Sequence, residues 1–278
     1  MKTTTTTSAR RAWRRLEPIH GMIYFVPEAS RRYTELGLTG MSGYFTSRSA
    51  PFGRASADLV IATFYNFCPA LVRRSLRDAW AAVTPEQILD ARYQAAAEAL
   101  NRAAIHELPE LNQTLTLARR AAESACEHPQ GRPLFAAHAT LPWPDDPLLQ
   151  LWHAQTLLRE FRGDGHVATL LAEGVTGLEA LILHAATGTV PTPFLKISRA
   201  WPEEEWVAAE DGLRDRDLVA GDTLTTEGKA LRQHIEDRTD ILAMPAYEAL
   251  GEEGCERLAE LARPFGRRVV DAGLLNIS

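Results

Sequence analysis

Apolar residues recur along this chain at three- and four-residue steps and almost nowhere at every second position. That is the period of amphipathic helices, not of strands. Residues 9–35 carry Trp13, Leu16, Ile19, Ile23 and Val26 at this spacing, broken by Pro18 and Pro27. The same pattern predicts helices over 38–48, 55–65, 69–81, 85–105, 114–127, 147–161, 167–173, 177–186, 192–200, 203–218, 226–243 and 251–272. Turn residues separate them in SAPFG, NFCP, VTPEQ, HPQGRP, LPWPDDP, GTVPTP, WPEE and VAGDT. The separator RGDGH, Arg162 to His166, sets two glycines and three ionisable side chains between apolar runs. It reads as a tight turn in which Asp164 caps a helix over 167–173.

The two halves of the chain correspond in order. FTSRSAPFGRASADLV lines up with REFRGDGHVATLLAEG, so that Arg48 falls on Arg162 and Phe52 on His166. PALVRRSLRDAW followed by TPEQILDARYQAAAEAL resembles TPFLKISRAW followed by PEEEWVAAEDGLRDRDL. Self-similarity of this kind predicts a duplicated helical unit, with a tail over 1–8, one repeat over 9–145 and a second over 146–278.

The second repeat carries a family's grammar. WPEEEWVAAEDGLRDRDLV, a short AGDT turn and LTTEGKALRQHIEDRTDILA resemble the C-terminal part of MarR-type winged-helix regulators: recognition helix, wing, an "LT..G..L" helix start and a long dimerisation helix. Thr225 or Thr226 suits the N-cap of that last helix, with Glu227 in its first turn. The likeness covers roughly residues 165–275. With LEPIH, FYNF.P, LPWP, WHAQTLLRE and RGDGHVA, the whole chain resembles an actinobacterial helix-turn-helix family. The resemblance implies an all-α fold with minimal β in the wings, made of tandem MarR-like winged-helix repeats in a single-chain pseudodimer. Fusion frees the halves to diverge, so their interface can become an asymmetric pocket.

Composition narrows the class. With 278 residues, 45% of them hydrophobic, the chain can bury a sizeable core. The three cysteines, Cys68, Cys126 and Cys255, form neither a disulfide pattern nor a C-x-x-C pair, which predicts a reducing, cytoplasmic setting. No apolar run reaches membrane-spanning length, so no membrane partner is expected. A net charge of −6 is the wrong sign for a protein whose whole surface meets nucleic acid. The expected recognition helix, 203–218, holds Glu203, Glu204, Glu205, Glu210, Asp211, Asp215 and Asp217 against Arg214 and Arg216. DNA is therefore a disfavoured partner. Arg73, Arg74 and Arg77, on the helix over 69–81, are the residues that would meet it.

The remaining chemistry is a scattered polar set. Glu17 and His20 lie three apart on one helix face, and Tyr24 continues it by a turn. Trp152 and His153 precede RGDGH on the next long helix, and Asn66 adds an amide amid FYNF. Converging in a central cavity, Glu17, His20, Tyr24, Asn66, Trp152, His153 and Arg162 would hold a polar small molecule. In an alternative reading the chain is an enzyme of specialised metabolism on a recruited winged-helix scaffold, with His166 and Asp164 as its acid/base pair. No metal is assigned, because E-x-x-H lacks the preceding half of H-E-x-x-H. No cofactor is assigned either: G-x-G-x-x-G after a strand, G-x-x-x-x-G-K-[ST] and G-x-S-x-G are all missing. The leading reading is a small-molecule-binding protein of MarR-like lineage, a ligand-responsive transcription regulator with weakened DNA binding.

Overall fold

The computed structural model describes residues 4–275, and the tail residues 1–3 lie outside them. The chain is almost wholly helical. Its first half runs α1 (Thr6–Gly21), α2 (Pro27–Glu35), α3 (Met41–Ser49), α4 (Ala57–Phe64), α5 (Pro69–Leu76), α6 (Ala79–Ala82), α7 (Pro85–Arg102), α8 (Leu111–Cys126) and α9 (Pro133–Ala139). The second runs α10 (Pro147–Ala172), α11 (Gly177–Ala185), α12 (Thr192–Arg199), α13 (Glu203–Asp215), the strands β1 (Val219–Ala220) and β2 (Thr223–Leu224), α14 (Thr226–Ala243), α15 (Pro245–Glu248) and α16 (Gly251–Asp271).

Local sequence sets most helix starts. Thr84 and Gln87 close a capping box on α7, and Thr176 and Glu179 close another on α11. Asp146 accepts from the Leu148 and Leu149 amides to start α10, and Thr225 accepts from Gly228 to start α14. Gly228 is required there, because a Cβ would lie 2.0 Å from the Leu218 carbonyl oxygen.

Three expectations are corrected. Pro18 does not break the first helix, which carries it and ends at Gly21. Residues 133–139, left without a predicted helix between two turns, form α9. RGDGH is no turn: α10 passes through it without interruption. The reason lies in packing. A Cβ on Gly165 would sit 3.3 Å from the Leu242 Cβ of α14 and 2.9 Å from Arg132 Nη1. The glycine thus lets two helices approach, a role that outweighs its roughly 1 kcal/mol cost inside a helix.

One apolar core joins Leu16 and Ile19 of α1, Phe45 of α3, Ile88 of α7, Phe135 of α9, Trp152 and Phe161 of α10, and Leu258 and Phe265 of α16. A second, smaller core lies around Leu178, Leu195, Trp206, Leu213 and Ile235. It holds α11, α12 and α13 together with the antiparallel hairpin, in which Val219 pairs with Leu224. The two are stitched directly. The Tyr65 hydroxyl donates to the Val175 carbonyl at 2.6 Å, the Trp201 indole to the Asn66 carbonyl at 3.0 Å, and the Cys68 amide to the Arg199 carbonyl at 3.1 Å. Among the described residues, no single helix is long and apolar enough to cross a membrane.

Candidate functional site

The C-terminal end of α1 faces the middle of α10, and most of the expected polar set meets there. The Thr156 hydroxyl donates to the Trp152 carbonyl at 2.9 Å, so it accepts from His20 Nδ1, 2.8 Å away. That fixes the tautomer: His20 Nε2 accepts from the Tyr24 hydroxyl at 2.8 Å. Burial, seconded by the nearby Arg159 and Arg92 guanidiniums, holds His20 far below its ordinary pKa, and the ring is neutral. Trp152 stacks on it, with centroids 5.9 Å apart. Tyr93 stands edge-on to Trp152 and bonds His153 Nδ1 through its hydroxyl at 2.7 Å. Burial lowers His153 to about 4 and His138, close by, to about 3.

Beside this aromatic group lies a knot of buried charge. Arg48 donates twice to Glu160, at 3.2 and 2.9 Å, and once to the Tyr44 hydroxyl at 3.1 Å. Arg159 bridges Glu160, at 3.2 Å, and Glu17, at 3.0 Å. Burial alone would raise the Glu160 carboxyl, but Arg48 and Arg159 outweigh it and hold the group ionised. For the half-buried Glu17 burial outweighs Arg159, and its pKa rises.

Arg92 of α7 belongs to the same knot but has no acidic partner within it. Its side chain is only 1% exposed, its Nε and Nη2 have no hydrogen-bond partner, and its guanidinium lies 5.5 Å from the Tyr24 ring and 5.4 Å from the Trp152 ring. It lines a cavity of about 580 Å³ between α2, α3 and the segment 23–26 that follows α1, together with Tyr24, Tyr33, Tyr44 and Ser47.

The rest of the expected set lies elsewhere. Arg162 packs over Trp13 at 4.5 Å and donates to Glu236 at 2.8 Å and Asp240 at 2.9 Å, which Arg10 also engages. His166 bonds the Thr239 hydroxyl at 3.0 Å, and burial lowers it to about 4. Asp164 does not cap a helix over 167–173. Its carboxylate accepts from the Phe135 amide at 2.9 Å, capping α9 from a distance, and burial raises it to about 7. Asp164 and His166 therefore serve different elements. Asn66 accepts from the Trp201 indole, between α12 and α13, through its backbone carbonyl. No group of three or more His, Cys, Asp or Glu among the described residues is placed to hold a metal.

Sequence reasoning missed Arg48, Arg92, Arg159, Glu160 and Tyr33. The position of Arg92 gave the signal: Ile88, Arg92, Ala95, Ala96 and Ala99 form one buried stripe of α7, with a guanidinium in its midst.

On the outer face, α13 exposes Glu203, Glu204, Glu205, Asp211 and Asp215. The cations of α12 and α13, with Arg216 just after them, are engaged. Lys196 pairs with Glu203 at 2.7 Å, Arg214 with Asp211, and Arg216 with Glu179 at 3.0 Å. Arg199 packs over Phe67 at 4.4 Å. Arg73, more than half exposed, pairs with Asp58 at 2.6 Å, while Arg74 and Arg77 are exposed.

The model of a helix-turn-helix family matches residues 9–276, nearly the whole chain. The chain belongs to that family. No curated protein and no solved structure matches it. Membership of a helix-turn-helix family suggests a DNA-binding regulator type.

Proposed function

We propose that this family member is a small-molecule-binding protein of MarR-like winged-helix lineage: a ligand-responsive regulator whose hold on DNA is weakened. The acidic exposed face of α13 carries the reading. A recognition helix reaches bases only after lysine and arginine have neutralised phosphates around it. Here carboxylates occupy that face, and the neighbouring cations are paired or packed. The hairpin's turn, Ala220 to Thr223, adds Asp222 and no cation.

Ligand binding is supported by the cavity beside Arg92. The division into two repeats, 9–145 and 146–278, is supported by the aligned arginines Arg48 and Arg162, each held by acids of another helix and each packed on an aromatic ring. In such a pseudodimer, a ligand acts by shifting the populations of arrangements that differ in the spacing of the two halves. The free thiols Cys68, Cys126 and Cys255 fit a cytoplasmic setting.

Fluorescence-anisotropy titration against random-sequence duplex DNA tests the weakened grip. The expected result is feeble binding at low salt that vanishes at moderate salt. Tight binding that persists at moderate salt would return α13 to base reading and end the proposal.

A further inference from the structure

We propose that the cavity bounded by α2, α3 and the segment 23–26 after α1 is a binding site for an organic anion with an apolar body, whose charged group seats on Arg92. The inference rests on the ligand-binding reading and specifies its ligand.

Charge balance makes the case. Within the buried knot, Arg48, Arg92 and Arg159 stand against Glu17 and Glu160, so three cations face two carboxylates. Both carboxylates are already engaged, Glu160 by Arg48 and Arg159, and Glu17 by Arg159 and Gln155. Arg92 is the cation left over. A buried guanidinium with unmet N–H groups is costly, and an anion entering beside it relieves both the charge and the missing hydrogen bonds.

The cavity is made for such a guest. No acidic residue lines it, and its two charged residues are Arg31 and Arg92. Glu35 and Glu98 engage Arg31. The Tyr33 hydroxyl is buried against Arg92 and Ser47, a second donor beside the guanidinium. The remaining walls are largely apolar or aromatic, including Ile23, Phe25, Val26, Leu38 and Met41. They suit the body of an amphiphile and not a bare inorganic ion. The cavity thus offers one anion-seeking end and one apolar end.

Two dyes with the same ring system separate charge from shape: anilinonaphthalene sulfonate, an anion, and phenylnaphthylamine, which is neutral. Each is titrated fluorimetrically into the full chain. Both are expected to bind the wild type, the anion more tightly. Arg92→Gln should weaken the anion by about tenfold or more, the worth of a hydrogen bond to a charged group, and leave the neutral dye within about twofold. Arg92→Lys should recover part of the loss. Should Arg92→Gln fail to fold by circular dichroism, Tyr33→Phe decides, with anion binding expected to fall several-fold. Unchanged anion affinity in the folded variants overturns the site while leaving the cavity open to neutral ligands. If neither dye binds the wild type, the cavity takes no such guest and the ligand-binding reading falls with it.

Discussion

Glu160 is the carboxylate on which the buried charge turns, since Arg48 and Arg159 both donate to it and its side chain is 1% exposed. Removing one partner of a buried pair strands the other, so Glu160→Gln should cost about 3–5 kcal/mol in urea unfolding. The double variant Arg48→Met with Glu160→Leu, which leaves Arg159 its pairing with Glu17, should recover most of that loss. A double variant as unstable as the single one would mean that the pair is held by packing and not by charge. Such pairs are half legible in sequence. Arg92 and Glu160 stand inside apolar stripes, which marks each as buried, but nothing in their own segments names the partner, because Arg48 and Glu160 are brought together only by the tertiary fold. His20 and Trp152 were legible as candidates for the same reason that their stacking was not: each occupies the buried face of its own helix, and only the crossing of α1 with α10 joins them.

At the scale of elements, boundaries set by side-chain caps could be read directly, as at α7, α11 and α14. The segment RGDGH could not, because glycine serves both turns and close helix approach, and only the neighbour distinguishes them. Here α14 is that neighbour, with Leu242 against Gly165. The two glycines of α10 therefore predict opposite outcomes. A Cβ on Gly163 would meet only Glu160 Oε2, at an ordinary 3.6 Å, so Gly163→Ala should stabilise by up to about 1 kcal/mol. Gly165→Leu pushes into Leu242 and Arg132 and should destabilise by about 1–3 kcal/mol. Thermal unfolding of the two variants, compared with wild type, checks this. Equal shifts of one sign would show that α10 does not approach α14 as described. Residues 133–139 were missed for a related reason: α9 is short, lies between proline-rich turns, and takes its cap from Asp164, a residue remote in sequence.

The whole molecule carries its buried histidines neutral, and this fixes how it answers acid. Burial, the largest cause in each case, holds His20 well below the ordinary 6.5 and puts His138 at about 3, His153 at about 4 and His166 at about 4. Between pH 6.5 and about 4 the unfolded chain protonates these four while the folded chain does not. Asp164 acts oppositely, because its folded value of about 7 exceeds the ordinary 3.8, so across this window the folded chain keeps one proton that the unfolded chain has lost. Four protons gained against one lost leaves the unfolded state with about three more. Stability therefore falls as pH drops from 6.5 towards 4. Calorimetric melting temperatures across that range should decline steeply, and a flat profile would mean that the histidines are solvated.

Ligand occupancy is the claim on which the functional account most depends, and native mass spectrometry of the protein as purified from cells measures it directly. The account predicts a population carrying a noncovalently bound small organic anion, lost on denaturation and depleted in Arg92→Gln. A bare chain in every preparation, which instead forms a complex with duplex DNA that survives moderate salt, would contradict it and restore DNA reading as the protein's task.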